Sequence, residues 1–221
     1  MDRRDAVPSG TYSAALLAAM LLLPSTGCVG LVANLIYAAG ETVPAAFDGL
    51  RGQKVAVVCV SDASTFGPSN VNDQLAQRIG DLLVQRVREI RVIGQPQISR
   101  WRDENDWNEL DFLALGKGVG ADRVLAVEIG AFSLHDGPTM FKGRAEVGVV
   151  VYDVMQPGQP VFRIAPRQVQ FPSAAGQYTT DMSEAEFRQK FTAVIAHQVA
   201  RNFYAYDLKE DFALDATLIS P

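Results

Sequence analysis

The feature that most constrains this chain is the run Lys54-Val55-Ala56-Val57-Val58-Cys59-Val60, apolar at consecutive positions and rich in β-branched residues. Strand side chains alternate between two faces, so an unbroken apolar run predicts a strand covered on both sides, as at the centre of a parallel sheet. A polar loop over 61–70, with Gly67 and Pro68, follows it. Leu75, Ile79, Leu82, Leu83 and Val87 then recur at helical spacing, while Gln77, Arg78, Asp81, Gln85 and Arg88 take the other side. That pattern predicts an amphipathic helix, which Asn70 or Asn72 is suited to cap. A second strand over 90–93 stops at Gly94 and Pro96. Strand, helix and strand with short joints form the parallel crossover unit.

The stretch 97–111 is charged and holds both tryptophans. It leads into a helix expected over 105–117, with Trp107, Leu110, Leu113 and Ala114 on one side and Gly116, Gly118 and Gly120 as its stop. A third strand over 123–134 is apolar on both faces at 124–127 and alternates thereafter. His135-Asp136-Gly137-Pro138 has the residues of a tight reversal. Beyond it Phe141, Ala145, Val147, Val149 and Val151 alternate with Lys142, Arg144, Glu146 and Gly148, which predicts a strand with one wet face. After Pro157-Gly158 a last strand over 161–171 contains Pro166, which demands an edge or a bulge. Ser183 and Glu186 have capping-box spacing, and Phe187, Phe191, Val194, Ile195, Val199 and Phe203 make a long helical stripe. The predicted fold class is α/β (α+β mixed): a single mixed sheet in the order β-α-β-α-β-β-β-α, with helices packed on it.

The front end is different in kind. No charged residue occurs over 11–40, and 14–23 is continuously apolar. A short head with Arg3 and Arg4, among Asp2 and Asp5, then an apolar run, then small residues follow the plan of an export signal. The segment Ser25-Thr26-Gly27-Cys28 resembles the lipobox of bacterial lipoproteins, with Ser25 where leucine is usual. The resemblance implies that Cys28 is acylated and begins the mature chain. Acyl chains contribute about 0.8 kcal/mol per buried methylene, so several of them anchor a protein stably. A plain signal peptide and an uncleaved membrane helix over 12–39 are the alternatives. The expected division is a signal over 1–27, a linker over 28–52 with Pro44, Gly49 and Gly52, one domain over 53–212 and a tail over 213–221. Both the lipid anchor and the membrane helix put the domain in the cell envelope, outside the cytoplasm.

Few residues offer chemistry. A net charge of -5 argues against a nucleic-acid binder. With two cysteines and two histidines in the chain, neither a metal site nor a cofactor is expected. Cys59 reads as core filler in its strand rather than a nucleophile. The run Gly116-Lys117-Gly118-Val119-Gly120 closes a helix and precedes a strand, the wrong polarity for a phosphate loop. The loop Ser61-Asp62-Ala63-Ser64-Thr65 does lie between a strand end and a helix start, where α/β folds place ligands. Ser61, Asp62, Ser64 and Thr65 are therefore the candidate ligand loop, for a small anion or a substrate, with an ordinary polar loop as the alternative. Trp101, Arg102 and Trp107 form the candidate partner surface, since exposed aromatics with arginine anchor interfaces; the alternative is that Trp107 packs its helix on the sheet. His135 and His197 are expected to face solvent. Glu128 is either a buried acid or a water-facing one, and no acid–base pair is assigned.

In element order the domain resembles the α/β module of bacterial envelope lipoproteins, the curli secretion-pore family and the TolB amino-terminal domain among them. The resemblance spans 54–203. It rests on Lys54-Val55-Ala56-Val57-Val58 and the helix after it, on Gly120-Ala121-Asp122 before Val124-Leu125-Ala126-Val127, and on the meander that follows. It implies a non-enzymatic binding or assembly role in the envelope. The implied partners are the membrane, through lipid on Cys28, other envelope proteins, and further copies of the chain. An exported small-ligand-binding protein or hydrolase using the 61–65 loop is the alternative. Curli-type pores add membrane-spanning hairpins, and no hairpin is inserted beyond the core meander, so pore formation is disfavoured.

Overall fold

The computed structural model describes residues 42–61, 70–107, 111–156, 158–173 and 176–207. The leader with Cys28, the tail, and Asp62, Ser64 and Thr65 lie outside them. In chain order the elements are β1 (Thr42–Val43), β2 (Lys54–Ser61), α1 (Asn70–Arg86), β3 (Arg91–Val92), α2 (Gln95–Glu104), α3 (Phe112–Val119), β4 (Arg123–His135), β5 (Met140–Asp153), β6 (Phe162–Phe171), β7 (Gln177–Tyr178), α4 (Glu184–Ala200) and β8 (Tyr206–Asp207). The main sheet runs β3-β2-β4-β5-β6, with β7 also on β5. β2 pairs parallel with β3 and β4, while β4, β5 and β6 form an antiparallel meander. This is the α/β fold that the apolar run and the alternating strands require.

Alternation along the strands sorts two cores. Val55, Val57 and Cys59 of β2, Leu125, Val127 and Ile129 of β4, and Val147, Val149 and Val151 of β5 point to one face. Over that face lie α1, with Leu75, Ile79 and Leu83, and α4, with Phe187, Phe191 and Ile195. The capping spacing before α4 is used: Ser183 Oγ accepts from the Glu186 amide at 3.2 Å. Gly143 of β5 serves this packing, because a Cβ there would run into the Phe191 ring. Burial pushes the Cys59 thiol far above its ordinary pKa, and the Asp73 charge adds to the shift. Cys59 is an inert core residue.

The opposite face is shorter. Ala56, Val58, Val124, Ala126 and Val150 pack there against α2, through Ile98, and α3, through Phe112, Leu115 and Val119. The helix expected over 105–117 begins only at Phe112, and a further helix that the charged stretch does not announce, α2, precedes it, with Asn105 and Trp107 outside both. Pro96 opens α2 rather than ending a strand's surroundings, since proline is tolerated in a first helical turn. Asp111 caps α3, its carboxylate accepting from the amides of Leu113 at 3.1 Å and Ala114 at 2.9 Å. Of the glycines expected to stop that helix only Gly120 does so, in the left-handed conformation with φ of 71°. Gly116 lies inside α3, where a Cβ would strike Val124 and Val154; at Gly118 it would fall within the Trp101 indole.

Two polar residues finish edges that the strands leave open. β3 ends after two residues, so the next carbonyl of β2, that of Val57, has no strand partner on this side; buried Gln95 donates to it at 3.0 Å. Asp153 pairs with Arg123 and accepts from the amides of Met155 and Gln156, closing the β5–β6 turn. Pro166 sits in the edge strand β6, where the register slips between Val147 and Val149 of β5, so both expected roles of that proline are met.

Residues 42–52 are not the free linker that their proline and glycines suggest. Leu50 is fully buried, Phe47 stacks on Phe162 at 5.0 Å, and the Phe47 amide donates to the Asn202 carbonyl at 3.0 Å. β1 pairs with β8, so this segment and the end of the described chain lie together. The apolar side chains among the turn residues decide the outcome.

Candidate functional site

Parallel strands place their carboxyl ends at one edge of the sheet, and ligand sites of α/β folds collect there. At the carboxyl end of β2 a cavity of about 430 Å³ is lined by Val60, Ser61, Glu128, Gly130, Glu146 and Pro166. It lies on the less covered face, just past the point where Val60, Ala126 and Val150 end the second core. Glu128 of β4 pairs with Gly148 of β5, and Glu146 of β5 with Gly130 of β4. The two carboxylates are therefore diagonal neighbours on one face, with Cα atoms roughly 7–8 Å apart.

The acids lie over the two glycines: a Cβ on Gly148 would rest in ordinary contact, 3.5 Å from a Glu128 carboxylate oxygen, and one on Gly130 would rest 3.7 Å from a Glu146 oxygen. Irregular backbone frames the cavity. The β4 register slips between Gly130 and Ser133, and Ala131 between them has φ of 43°. Such bulges re-aim side chains beside binding sites.

Of the candidate ligand loop, Ser61 is described and does reach this cavity. Its hydroxyl accepts from the Asn72 side-chain amide at 3.0 Å, which ties the strand end to the first turn of α1. Two carboxylates and a hydroxyl suit a cationic or hydrogen-bond-donating group, and they oppose the small anion that the loop's position suggests. Glu128 is half-buried and Glu146 exposed. Sequence reasoning singled out Glu128 and read Glu146 only as a wet-face residue. The pairing register that brings them together carries no local signal.

The candidate partner residues are held by the protein itself. Trp101 is half-buried against Gly118 and the second core. Trp107 meets Phe112 edge-on at 5.7 Å, and its indole N–H donates to the Asp111 carbonyl at 3.1 Å. Arg102 lies 5.4 Å over the Trp107 ring and pairs with Asp73 at 3.1 Å. The three residues form a strut between α2, α1 and the start of α3.

The histidines part company. His135 ends β4 on the surface, its ring 5.0 Å from Phe141 and its Nε2 3.8 Å from Glu184. His197 is not solvent-facing as expected; it is half-buried beside a recess of about 250 Å³ lined by Arg78, Leu82, Gln85 and Ala193, because α1 lies across that side of α4. Among the described residues no group of three or more His, Cys, Asp or Glu side chains is placed to hold a metal ion. Among them, too, no helix is long and apolar enough to cross a membrane.

No protein-family model matches the chain, and no curated protein matches it. Solved structures similar to it include bacterial lipoproteins. The PelC dodecamer from Paraburkholderia phytofirmans is 12% identical, over 74% of this chain and 96% of that one, with a TM-score of 0.42. Lipoprotein GNA1162 from Neisseria meningitidis is 13% identical, over 66% and 97%, with a TM-score of 0.43. A putative lipoprotein from Caulobacter crescentus is 13% identical, over 75% and 92%, with a TM-score of 0.33. At these identities, and with TM-scores below 0.5, the likenesses assign neither a family nor a role to the chain.

Proposed function

We propose that this chain is an exported, lipid-anchored protein of the bacterial cell envelope whose α/β head has a non-enzymatic binding or assembly role. One observation carries the reading: the uncharged stretch over 11–40, with Arg3 and Arg4 before it and Thr26-Gly27-Cys28 inside it. A leader of this kind followed by acylation at Cys28 leaves the folded head tethered to a bilayer, where its partners are other envelope proteins or further copies of itself. The Trp101–Arg102–Trp107 strut is its proposed partner surface. The finer likeness, to the curli secretion-pore family and the TolB amino-terminal domain, belongs to this proposal and rests on the strand and glycine motifs that carry it. Metabolic labelling with an acyl-chain probe tests the anchor. Label in the wild type that is lost in Cys28→Ala is the expected outcome, and equal labelling of both sinks it. Loss of residues 1–27 from the mature mass separates a cleaved lipoprotein from an uncleaved membrane helix. Solution mass of the detergent-extracted protein reads the self-association.

The cavity at Ser61, Glu128 and Glu146 favours a second reading, an exported protein that binds a small cationic ligand. Its carboxylates converge at the sheet edge where such folds place ligands. In a thermal-shift series with diamines and polyamines, a rise in Tm that disappears in Glu128→Gln/Glu146→Gln supports it. No rise with any of them removes it.

A further inference from the structure

We infer that the amino-terminal edge of the sheet is a membrane-docking surface that sets its arginines on anionic phospholipid headgroups. The inference rests on the lipid anchor proposed above and adds an orientation for the head.

The edge is defined by the fold. β2, β3 and β4 begin there, α1 and α4 end there, and the β5–β6 turn lies there. Four arginines gather on it from separate pieces of chain: Arg51 before β2, Arg86 at the end of α1, Arg88 in the turn after it, and Arg91 opening β3. All four are exposed. They are held side by side, since the Gly52 amide donates to the Arg88 carbonyl and the Arg91 amide to that of Gln53. Arg51, Arg86 and Arg88 rim a recess of about 550 Å³ whose apolar wall includes Val87, Phe203 and Pro44.

The acids here are Asp48 on the same recess, Glu89 in the turn, Asp122, which is engaged with the Lys54 amide at 2.7 Å, Asp153, which is paired with Arg123, and Asp207 in β8. Lys54, Arg123 and Arg201 at the same ends of β2, β4 and α4 add to the four arginines. The carbonyl ends of α1 and α4 both point this way, and Arg86 answers the dipole of its own helix. That explanation does not extend to Arg51, Arg88 and Arg91, which lie outside the helices and form no ion pair among the described residues. In a chain of net charge -5 this edge runs against the overall sign. The opposite edge carries Glu128 and Glu146 beside the ion pairs Asp136–Arg144 and Glu184–Arg188, so it offers an anionic surface no comparable cluster of cations.

Two further observations agree. Met155 is 76% exposed and Val161 43% exposed, both in the β5–β6 turn on the basic edge. Three strand spacings separate that turn from β3, about 15 Å. Arginines beside exposed apolar side chains suit the interface of a bilayer, with guanidinium on phosphate and thioether at the acyl boundary. The chain also enters the domain here: Thr42 is paired with Asp207 at this edge, fourteen residues after Cys28. A tether of that length spans at most about 50 Å. It holds the edge at high effective concentration over the bilayer, where weak electrostatic contacts suffice.

The test uses the full chain reconstituted through its own lipid into two kinds of vesicle, phosphatidylcholine alone and phosphatidylcholine with phosphatidylglycerol. A fluorophore on Met155→Cys reports proximity through quenching by headgroup-labelled lipid. Each basic residue near an anionic surface strengthens partitioning about fivefold. Strong quenching in anionic vesicles that weakens with salt is expected, and Arg51→Gln/Arg88→Gln/Arg91→Gln should lower the docking constant roughly a hundredfold. Circular dichroism establishes that the triple variant is folded. Equal quenching in the two kinds of vesicle, or an unaffected triple variant, overturns the docking. The intact mass of the same sample reports acylation of Cys28. A chain without acyl groups sinks the anchor and the docking together, whereas an acylated chain with an indifferent fluorophore sinks the docking alone.

Discussion

On one face of the sheet, α1 and α4 cover β2, β4 and β5 from Val55 to Phe141, and the aromatic rings of Phe132, Phe141, Phe171, Phe187 and Phe191 interlock. On the other face, α2 and α3 cover the strands only as far as Val60, Ala126 and Val150, and the rows continue with Glu128 and Gly130 in β4 and with Gly148 and Glu146 in β5. The strands are shared, so backbone pairing is the same for both faces. What differs is whether a described helix lies overhead, and the side chains follow: phenylalanine where one does, glutamate and glycine where none does. The closed face secures stability; the half-open one leaves room for a ligand.

The largest test of this contrast is Phe187→Ala. Its ring is fully buried and lies 5.0 Å from Phe141 and 5.7 Å from Phe171. Truncation of such a residue costs about 3–5 kcal/mol. Denaturant unfolding should show a loss in that range, and a loss of less than about 1 kcal/mol would mean that the closed face is not the main core. Gly118→Val probes the partly covered face. A side chain there has to displace the Trp101 indole, so overpacking of about 1–3 kcal/mol is expected. The same variant sharpens the reading of the tryptophans. If Trp101 is a strut, its fluorescence should shift with the loss of stability; an unchanged spectrum and midpoint would detach it from the core.

Legibility in the sequence followed the same division. The strands of the closed face announce themselves by consecutive or alternating apolar residues, and α4 by its capping serine and phenylalanine stripe. The region over 94–111 misled for a definite reason. Charge at 100–106 looks like loop, yet Arg100, Asp103 and Glu104 are the wet side of α2, and Pro96 is a helix opener that reads as a breaker when its position in the turn is unknown. Gly116 and Gly118 look like terminators because their role depends on Val124, Val154 and Trp101, which are remote in the chain or in another element. That Ser61 ends a strand at the carboxyl edge of the sheet is legible from the β2 run alone. That Glu128 and Glu146 lie beside each other is not, because it depends on the antiparallel register of β4 and β5.

The smallest expected effect tests whether the open half carries stored backbone strain. Ala131 occupies φ of 43° where the β4 register slips, between the cavity residue Gly130 and Ser133. A left-handed conformation costs a residue with a Cβ about 1–2 kcal/mol, which glycine does not incur. Ala131→Gly removes that cost but gives the unfolded chain more freedom, worth about 0.4–1 kcal/mol in the opposite direction. The difference favours the variant by a few tenths to about 1 kcal/mol, or a rise in Tm of up to about 2–4 °C for a domain of this size. An alanine in a regular strand would give the reverse sign, since glycine weakens strands. A raised midpoint therefore identifies the bulge as a strained frame kept beside the carboxylates, and a lowered one returns this stretch of β4 to ordinary sheet.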